Sequence, residues 1–256
     1  MGRLYVVDNG VDGGDLLDVV LVHGSMDRSG SWVRVVRELR GSGRRVVRYD
    51  RRGYGRSRAL GGGTMEQHVA DLLTVIGSRP CVVAGHSYGA AVALCGAERA
   101  PSLVRGVVSF EGPMSWRPWW PGRSAGGTAV QQVRDGAALG DAAERFLRRM
   151  IGDAKWESLP PRVREERRAE GEALITELMS ARDGGPPYDP ARIAVPVVSA
   201  RGTESDEHLR RGADVLAAEV PGASLVILEG ADHGAHQSHP ADFADLIRSV
   251  LVRAES

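Results

Sequence analysis

Lysine is almost absent from this chain of 256 residues: Lys155 is the only one, and arginine supplies the rest of the 33 basic side chains. They are balanced by 33 aspartates and glutamates, so the formal net charge is +0. No block of like charge is long enough to form a patch for nucleic acid or for an anionic membrane. The most charged stretch, residues 162–168 (RVREERR), mixes both signs at helical spacing, which is typical of a solvated helix face. We therefore expect neither a nucleic acid nor a membrane among the partners.

Cysteine is also scarce, since Cys81 and Cys95 are the only two and neither belongs to a C-x-x-C or metal-ligand pattern. We interpret both as small core residues of a protein in a reducing compartment. The first ten residues lack the apolar region of a signal peptide, and no apolar run reaches the length of a membrane span. These absences predict a soluble, cytoplasmic protein.

The most informative stretch that is present is residues 81–89 (CVVAGHSYG). A short apolar run with β-branched valines predicts a buried strand, and small helix-forming residues follow the motif G-x-S-x-G. In this context the central Ser87 sits on a tight turn that lifts its hydroxyl above the sheet, while Gly85 and Gly89 keep crowded positions free of Cβ atoms. Ser87 is the candidate nucleophile, although the bare motif also arises by chance in a chain with 33 glycines.

Strands and helices alternate along the first 112 residues and again from residue 190. Apolar runs predict strands at residues 4–7, 18–23, 44–49, 81–84, 103–110, 195–200 and 225–228. Amphipathic or small-residue segments predict helices at residues 32–39, 64–76, 90–100, 206–218 and 240–252. Thr64 and Gln67 have the spacing of a capping box, and the glycines of residues 10–14 would allow a hairpin after the first strand. The alternation predicts an α/β fold with a mainly parallel sheet and right-handed crossovers.

Residues 113–189 interrupt this alternation, because they contain no convincing strand. They begin with a tryptophan-rich loop and continue with two predicted helices, at about residues 127–151 and 161–182. An insertion between two strands of a parallel sheet is expected to cover the strand ends, where ligands bind in such sheets. We therefore predict one structural unit with a core formed by residues 1–112 and 190–256 and a helical cap formed by residues 113–189.

A serine nucleophile needs a base, and the position of the seven histidines favours His233. His233 lies in the loop after the last predicted strand, at the same sheet edge as Ser87, whereas His86 is expected to point away from the nucleophile along the turn. His233, His236 and His239 have an H-x-x-H-x-x-H spacing, but no carboxylate or thiolate cluster accompanies them and Pro240 interrupts the segment. A metal site there is therefore disfavoured, and a solvated loop histidine is the plain alternative for His233.

Four segments together resemble the α/β-hydrolase superfamily: residues 23–25 (HGS), 50–57 (DRRGYGRS), 85–89 (GHSYG) and 230–233 (GADH). Their order and spacing cover nearly the whole chain apart from the predicted cap. The resemblance implies the α/β-hydrolase fold, a mostly parallel twisted sheet flanked by helices with an inserted helical cap. It also implies a serine–acid–histidine triad in that chain order, which agrees with Ser87 preceding His233.

The acid departs from the commonest pattern of that superfamily. Many members have an aspartate in a turn after the strand equivalent to residues 195–200, but this chain has serine at the matching place in residues 202–205 (GTES). Glu111 ends the preceding strand and is followed by a tryptophan-rich segment, which is similar to haloalkane dehalogenases. Those enzymes use an aspartate nucleophile, so the resemblance stops at the acid. We choose Glu111; Glu204, Asp206 or a mere turn-capping role for Glu111 are the alternatives.

Backbone amides are expected to form the oxyanion hole. The amide of Tyr88 opens the helix after the nucleophile, and the amide of Ser25, with Met26 as its neighbour, faces it from the loop after the second predicted strand. His23 is interpreted as a residue that stabilises that loop. Asp50, Arg51 and Asp71 are also interpreted as structural, because an acid or base at a strand end or on a helix usually satisfies neighbouring polar groups.

These residues predict a serine hydrolase that cleaves an ester, thioester or lactone of a small apolar molecule, with no metal or other cofactor. Met26, Met114, Trp116, Trp119 and Trp120 would line an apolar substrate pocket, although the tryptophans could equally pack the cap onto the sheet. A lyase or C–C bond hydrolase with the same triad, or a non-catalytic binding protein of this fold, are the alternatives. The sequence leaves open whether the protein is a monomer or a homodimer.

Overall fold

The computed structural model describes residues 2–256 and contains one seven-stranded sheet. The strands are β1 (Tyr5–Asp8), β2 (Asp18–Val22), β3 (Val46–Asp50), β4 (Cys81–His86), β5 (Val104–Phe110), β6 (Val197–Gly202) and β7 (Ser224–Leu228). Their spatial order is β1-β3-β2-β4-β5-β6-β7, and every pair except β1 with β3 is parallel. The predicted α/β fold with a mainly parallel sheet is confirmed.

The first strand does not form the hairpin that the glycines of residues 10–14 would allow. β1 instead pairs antiparallel with β3, with Val6 opposite Tyr49. The physical reason lies in burial: all five residues of β2 are buried, whereas β1 alternates between half-buried and exposed positions. A strand that exposes one face to solvent is favoured at the edge of the sheet, whereas a strand that is apolar on both faces is favoured in its interior.

Helices cover both faces of the sheet. Outside the segment between β5 and β6 they are α1 (Val33–Glu38), α2 (Met65–Ile76), α3 (Tyr88–Arg99), α9 (Glu207–Glu219), α10 (Ala235–Ser238) and α11 (Pro240–Glu255). Residues of α2 and α3 pack on one face, and residues of α1 and α11 pack on the other. The predicted capping box of α2 is confirmed, because the Thr64 hydroxyl accepts from the Gln67 amide and the Gln67 side chain accepts from the Thr64 amide.

Between β5 and β6 the chain forms five helices where the sequence indicates two. They are α4 (Ala125–Arg134), α5 (Leu139–Ile151), α6 (Asp153–Ser158), α7 (Pro161–Arg168) and α8 (Gly171–Asp183). The single helix predicted over residues 127–151 is wrong, since Gly136 has a φ of 94° and ends the first of two shorter helices. The helix predicted over residues 161–182 is also divided, at residues 169–170.

These five helices, the helical insertion, pack against loops at the carboxyl ends of β2 and β3. Met26 and Tyr54 from those loops join Phe146, Trp156 and Leu174 in a hydrophobic cluster of their own. A buried ion pair adds a polar tie, because Arg51 Nη1 lies 2.8 Å from Glu177 Oε2 and both side chains are fully buried. The insertion is therefore fixed to the edge of the sheet where the candidate nucleophile lies.

Among residues 2–256, no helix has the combined length and apolar character that crossing a bilayer requires.

Candidate active site

Ser87 occupies the turn between β4 and α3, as predicted from the motif. Its backbone has a φ of 54° and a ψ of −126°, a conformation that a non-glycine residue rarely adopts. The flanking glycines make the turn possible: a Cβ at Gly85 would lie 2.3 Å from the Gly89 oxygen, and one at Gly89 would lie 2.3 Å from the Val22 oxygen. The turn holds Ser87 partly exposed while its neighbours are buried.

The loop after β2 packs directly against this turn. A Cβ at Gly24 would lie 3.0 Å from Ser87 Cβ and 3.0 Å from His86 Nδ1, so a larger residue would crowd both side chains. The next residues, Ser25 and Met26, follow at once, and Met26 has a φ of 57°. This places the loop that was predicted to carry an oxyanion-hole amide against the turn that carries Ser87.

A buried arginine fixes the position of this loop. Arg51 donates from Nε to the His23 oxygen at 2.9 Å and from Nη2 to the Gly24 oxygen at 3.0 Å. The Arg51 amide donates to His23 Nε2 at 2.8 Å, and His23 Nδ1 donates to the Gly24 oxygen at 2.7 Å. The interpretation of His23 and Arg51 as structural residues agrees with these bonds.

His233 and Glu111 are brought together although 122 residues separate them. His233 Nδ1 lies 2.5 Å from Glu111 Oε2, and Glu111 Oε1 accepts from the Gly202 amide at 2.8 Å. Glu111 is fully buried and has a φ of 51°, so the backbone as well as the carboxylate is held in one unusual geometry. A carboxylate at Nδ1 leaves Nε2 of His233 as the free proton acceptor.

The two alternative acids are placed elsewhere. Asp206 precedes α9, and Glu204 lies next to Thr203, whose hydroxyl donates to its carboxylate at 3.4 Å. Within residues 2–256, neither side chain forms a hydrogen bond or ion pair with His233. Their positions give no support to the alternative of a later acid.

His86 supports the loop that carries His233, a contact that the sequence did not indicate. Its Nε2 lies 2.7 Å from the His233 oxygen, and because a carbonyl only accepts, this nitrogen carries the proton. The ring lies 4.6 Å from the His233 ring and 4.3 Å from the His236 ring. Burial, together with His236 and His233, holds the pKa of His86 well below its usual range, so the ring stays neutral.

The three histidines with H-x-x-H-x-x-H spacing have different partners. His233 bonds Glu111, His239 Nδ1 lies 2.9 Å from the Ser238 hydroxyl, and His236 Nε2 lies 3.4 Å from Asp27 Oδ2. Burial alone would raise the pKa of Asp27, but the hydrogen bond and charge of His236 outweigh it and hold that pKa far below its usual range.

A different set of side chains could hold a metal ion. One donor atom each from Asp27, His86 and His236 lies within 4.8 Å of the other two. Sequence reasoning missed this set because its members come from three distant segments, the loop after β2, the end of β4 and α10. His86 also has a second role in the same place, since it holds the His233 loop.

The side chains predicted to line the substrate pocket are found in apolar packing. Met26 and Met114 are both buried, and Met114 belongs to the cluster under α3. Trp116 meets the Tyr188 ring edge-on at 5.5 Å, and Trp120 meets His208 at 4.7 Å. Trp119 lies beneath the Arg211 guanidinium at 4.5 Å. Their role in substrate binding stays a prediction.

The chain is similar to several known proteins. The model of the family described as "Alpha/beta hydrolase family" matches residues 19–246. Epoxide hydrolase B of two Mycobacterium tuberculosis strains is 37% identical over 105 residues, which is 39% of this chain and 30% of that protein. The match thus spans less than a third of these relatives' length.

Two solved structures share the fold over almost the whole chain. A thermophilic esterase from Thermogutta terrifontis superposes with a TM-score of 0.74 at 22% identity and covers 99% of this chain and 94% of its own. The enol-lactonase from Burkholderia xenovorans LB400 has a TM-score of 0.72 at 23% identity, covering 97% and 96%. Together with the seven-stranded sheet, the family match over residues 19–246 confirms the resemblance: the chain belongs to the alpha/beta hydrolase family.

Proposed function

We propose that this protein is a serine hydrolase that cleaves an ester, thioester or lactone through an acyl-enzyme on Ser87. The observation that carries the proposal is the hydrogen bond between Glu111 and His233 at the sheet edge where the strained turn presents Ser87. A nucleophile, a base and an acid that orients the base are the parts that acyl transfer requires.

In the proposed mechanism, His233 Nε2 takes the proton of the Ser87 hydroxyl as its oxygen attacks the substrate carbonyl. Glu111 holds the Nδ1 proton and stabilises the imidazolium that forms. His233 then returns the proton to the leaving group, and the substrate's acyl group remains on Ser87. Water, activated by the same histidine, hydrolyses this ester and restores the serine.

The negative charge of the tetrahedral intermediate would be held by the backbone amides of Ser25 and Tyr88. Gly24 packs against Ser87, so both amides belong to segments that meet at the nucleophile. Neither amide donates a hydrogen bond to another group of residues 2–256. A single donor of this kind contributes roughly 3 kcal/mol to stabilisation of the transition state.

The chemistry of serine favours an acyl substrate over an epoxide. Attack of Ser87 on an epoxide carbon would form an ether, which has no carbonyl for water to attack, whereas attack on an ester forms a new ester that water can cleave. The names of the esterase and the enol-lactonase with the same fold agree with this substrate class. The apolar part of the substrate would contact Met26, Met114 and the three tryptophans, and no cofactor is needed.

A chromogenic carboxylester tests the proposal. We expect Ser87→Ala to lower kcat at least a thousandfold, and Glu111→Gln to lower it far more than the matched Asp206→Asn. Activity that is unchanged in Ser87→Ala would overturn the nucleophile, and the reverse ranking of the two acid variants would move the acid to the later loop.

The alternatives differ in what the wild type does with a phosphonate ester that reacts with serine. An adduct on Ser87 with turnover of simple esters supports the hydrolase. An adduct without ester turnover would indicate a lyase or C–C bond hydrolase. Tight binding without an adduct would indicate a non-catalytic binding protein.

A further inference from the structure

A cavity of about 500 Å³ opens between the edge of the sheet, the loop after β2 and helix α7. We name it the arginine pocket, because its lining includes five arginines (Arg28, Arg48, Arg56, Arg58 and Arg162); three carboxylates also line it (Asp50, Glu166 and Glu170). None of Ser87, Glu111 and His233 lines it. It therefore lies outside the proposed catalytic site, on another side of the same loop, whose Ser25 and Met26 precede Arg28 by two to three residues.

The charges around the arginine pocket do not cancel, although those of the whole chain do. Five arginines face three carboxylates. Asp50 is already satisfied by the backbone, because its two oxygens accept from the Ser29 amide at 2.8 Å and the Arg56 amide at 2.9 Å. Among residues 2–256, no arginine lies within 4.0 Å of its carboxylate, so Asp50 forms no ion pair with the pocket arginines.

Three of the five guanidinium groups have no carboxylate within 4.0 Å among residues 2–256: those of Arg48, Arg56 and Arg58. Arg48 donates to the Ser29 oxygen at 2.8 Å, and Arg56 stacks 4.5 Å above the Tyr5 ring. Both contacts fix a guanidinium in place and leave most of its N–H groups free. Arg28 adds a buried Nη1 that lacks a hydrogen-bond partner, while its Nη2 bonds Glu170 at 2.9 Å.

Glu170 weakens the opposing negative charge further. Burial raises the pKa of this carboxyl to about 7, against the influence of Arg28, the Gly55 amide and Arg58 and in the same direction as Asp50. Near neutral pH a substantial fraction of Glu170 is therefore uncharged. The wall of the pocket is more positive than the count of its residues suggests.

We propose that the arginine pocket binds a phosphorylated small molecule, whose phosphate is held by the guanidinium groups of Arg48, Arg56 and Arg58. The planar fork of arginine matches phosphate oxygens, and a phosphate monoester carries close to two negative charges, which suits several unpaired guanidinium groups better than one carboxylate does. The volume falls in the range of small-molecule sites and leaves room for an organic group beside the phosphate.

Calorimetric titration of the full chain at pH 7 and constant ionic strength tests this site with inorganic phosphate, ribose 5-phosphate and ribose. We expect ribose 5-phosphate to bind more tightly than inorganic phosphate, and ribose not to bind. Absence of binding by both phosphates at millimolar concentration overturns the site. Inorganic phosphate binding as tightly as ribose 5-phosphate overturns the organic part of the ligand.

Variants assign the binding to the pocket. The double variant Arg56→Ala/Arg58→Ala should weaken ribose 5-phosphate binding at least tenfold, whereas Arg105→Ala, an exposed arginine outside the pocket, should leave it unchanged. Equal effects of the two variants would contradict the assignment. Glu170→Gln removes a negative charge that is mostly present at pH 8, so in a titration at that pH it should tighten ribose 5-phosphate binding at least threefold; unchanged or weaker binding would contradict the electrostatic argument. Ser87→Ala should bind ribose 5-phosphate with the affinity of the wild type, because Ser87 does not line the pocket. Loss of binding in this variant would place the ligand in the proposed catalytic site instead.

Discussion

Glu170 shows how one buried side chain can set a pH dependence. Its carboxyl is 1% exposed and its pKa is raised to about 7, mainly by burial. When the pKa of a carboxyl is higher in the folded chain than in the unfolded chain, the group stabilises the fold at pH values below its pKa in the unfolded chain. That contribution is lost as the pH rises through about 7.

We predict that Glu170→Gln raises the free energy of unfolding at pH 8 by about 3 kcal/mol, because the amide resembles the protonated acid and avoids its buried charge. At pH 5, where Glu170 is protonated in the folded chain, the variant and the wild type should differ little. Urea unfolding at the two pH values measures this. A difference of the same size at both would show that Glu170 is not the titrating group.

Three residues with positive φ outside glycine lie at the proposed site: Met26, Ser87 and Glu111. Within residues 2–256 they are the full set. Such conformations cost about 1 to 3 kcal/mol each and persist where surrounding structure enforces them. Their coincidence with the proposed oxyanion loop, nucleophile and acid supports these roles independently of any side-chain distance.

At the scale of elements, helix α8 is connected to the proposed site by a buried ion pair as well as by apolar packing. Glu177 accepts from Arg51 at 2.8 Å and from the Tyr54 hydroxyl at 2.6 Å, and Arg51 in turn holds the oxygens of His23 and Gly24. Arg51 is thus a polar link between α8 and the loop that faces Ser87, beside the hydrophobic cluster that Leu174 shares with Met26.

We predict that Glu177→Gln lowers the free energy of unfolding by about 3 kcal/mol or more, since it leaves the Arg51 charge buried without a counter-charge. Glu172→Gln is the matched control, because that glutamate is on the same helix but exposed. Chemical unfolding of both variants measures the difference. A Glu177→Gln protein as stable as its control would mean that the pair is not needed to hold α8.

At the scale of the whole molecule, buried neutral histidines predict sensitivity to acid. Burial, with the charge of Arg51, lowers the pKa of His23 to about 4, and burial also holds the pKa values of His68 and His86 well below the usual range. His23 has both ring nitrogens engaged as a neutral ring, with Nε2 accepting from the Arg51 amide. A proton added to His23 Nε2 would point at the Arg51 amide N–H, so this hydrogen bond would be lost and two donors would face each other.

The stability of the folded chain should fall as the pH falls, because the unfolded chain binds protons at these histidines more readily than the folded chain does. A histidine whose pKa is lowered by folding contributes stability above its unfolded value of 6.5, and this is lost as the pH falls towards 4. Protonation of His23 alone should lower the free energy of unfolding by about 3 kcal/mol at pH 4. Protonation of His68 and His86 should lower it further, whereas protonation of Glu170 acts in the opposite direction. Unfolding measured from pH 7 to pH 4 should show a steep loss of stability, and a flat profile would contradict the buried neutral rings.

The local features were open to prediction from the sequence, and the distant ones were not. The turn at Ser87 and the capping box of α2 depend on neighbouring residues, so their spacing was sufficient. Glu111 was chosen through a family resemblance, because no local pattern indicates a bond to a histidine 122 residues away. No pattern in the sequence indicates the ion pair of Arg51 and Glu177, because 126 residues separate them.

The errors have the same origin. The helix predicted over residues 127–151 fails because a single glycine in a left-handed conformation outweighs good helix formers around it. The pairing of β1 with β3 depends on which strands expose one face to solvent. That exposure is a property of the assembled sheet and not of the loop at residues 10–14. The role of His86 depends on the loop that folds over it.

The central claim is that Ser87 carries the acyl group between the two halves of the reaction. Rapid mixing of the enzyme with excess p-nitrophenyl ester, acid quenching and mass analysis of the peptides tests it most directly. We predict a burst of nitrophenol and an acyl mass on the peptide containing Ser87, with both absent from Ser87→Ala. Turnover with no burst and no label, or a label on another residue, would contradict the acyl-enzyme at Ser87.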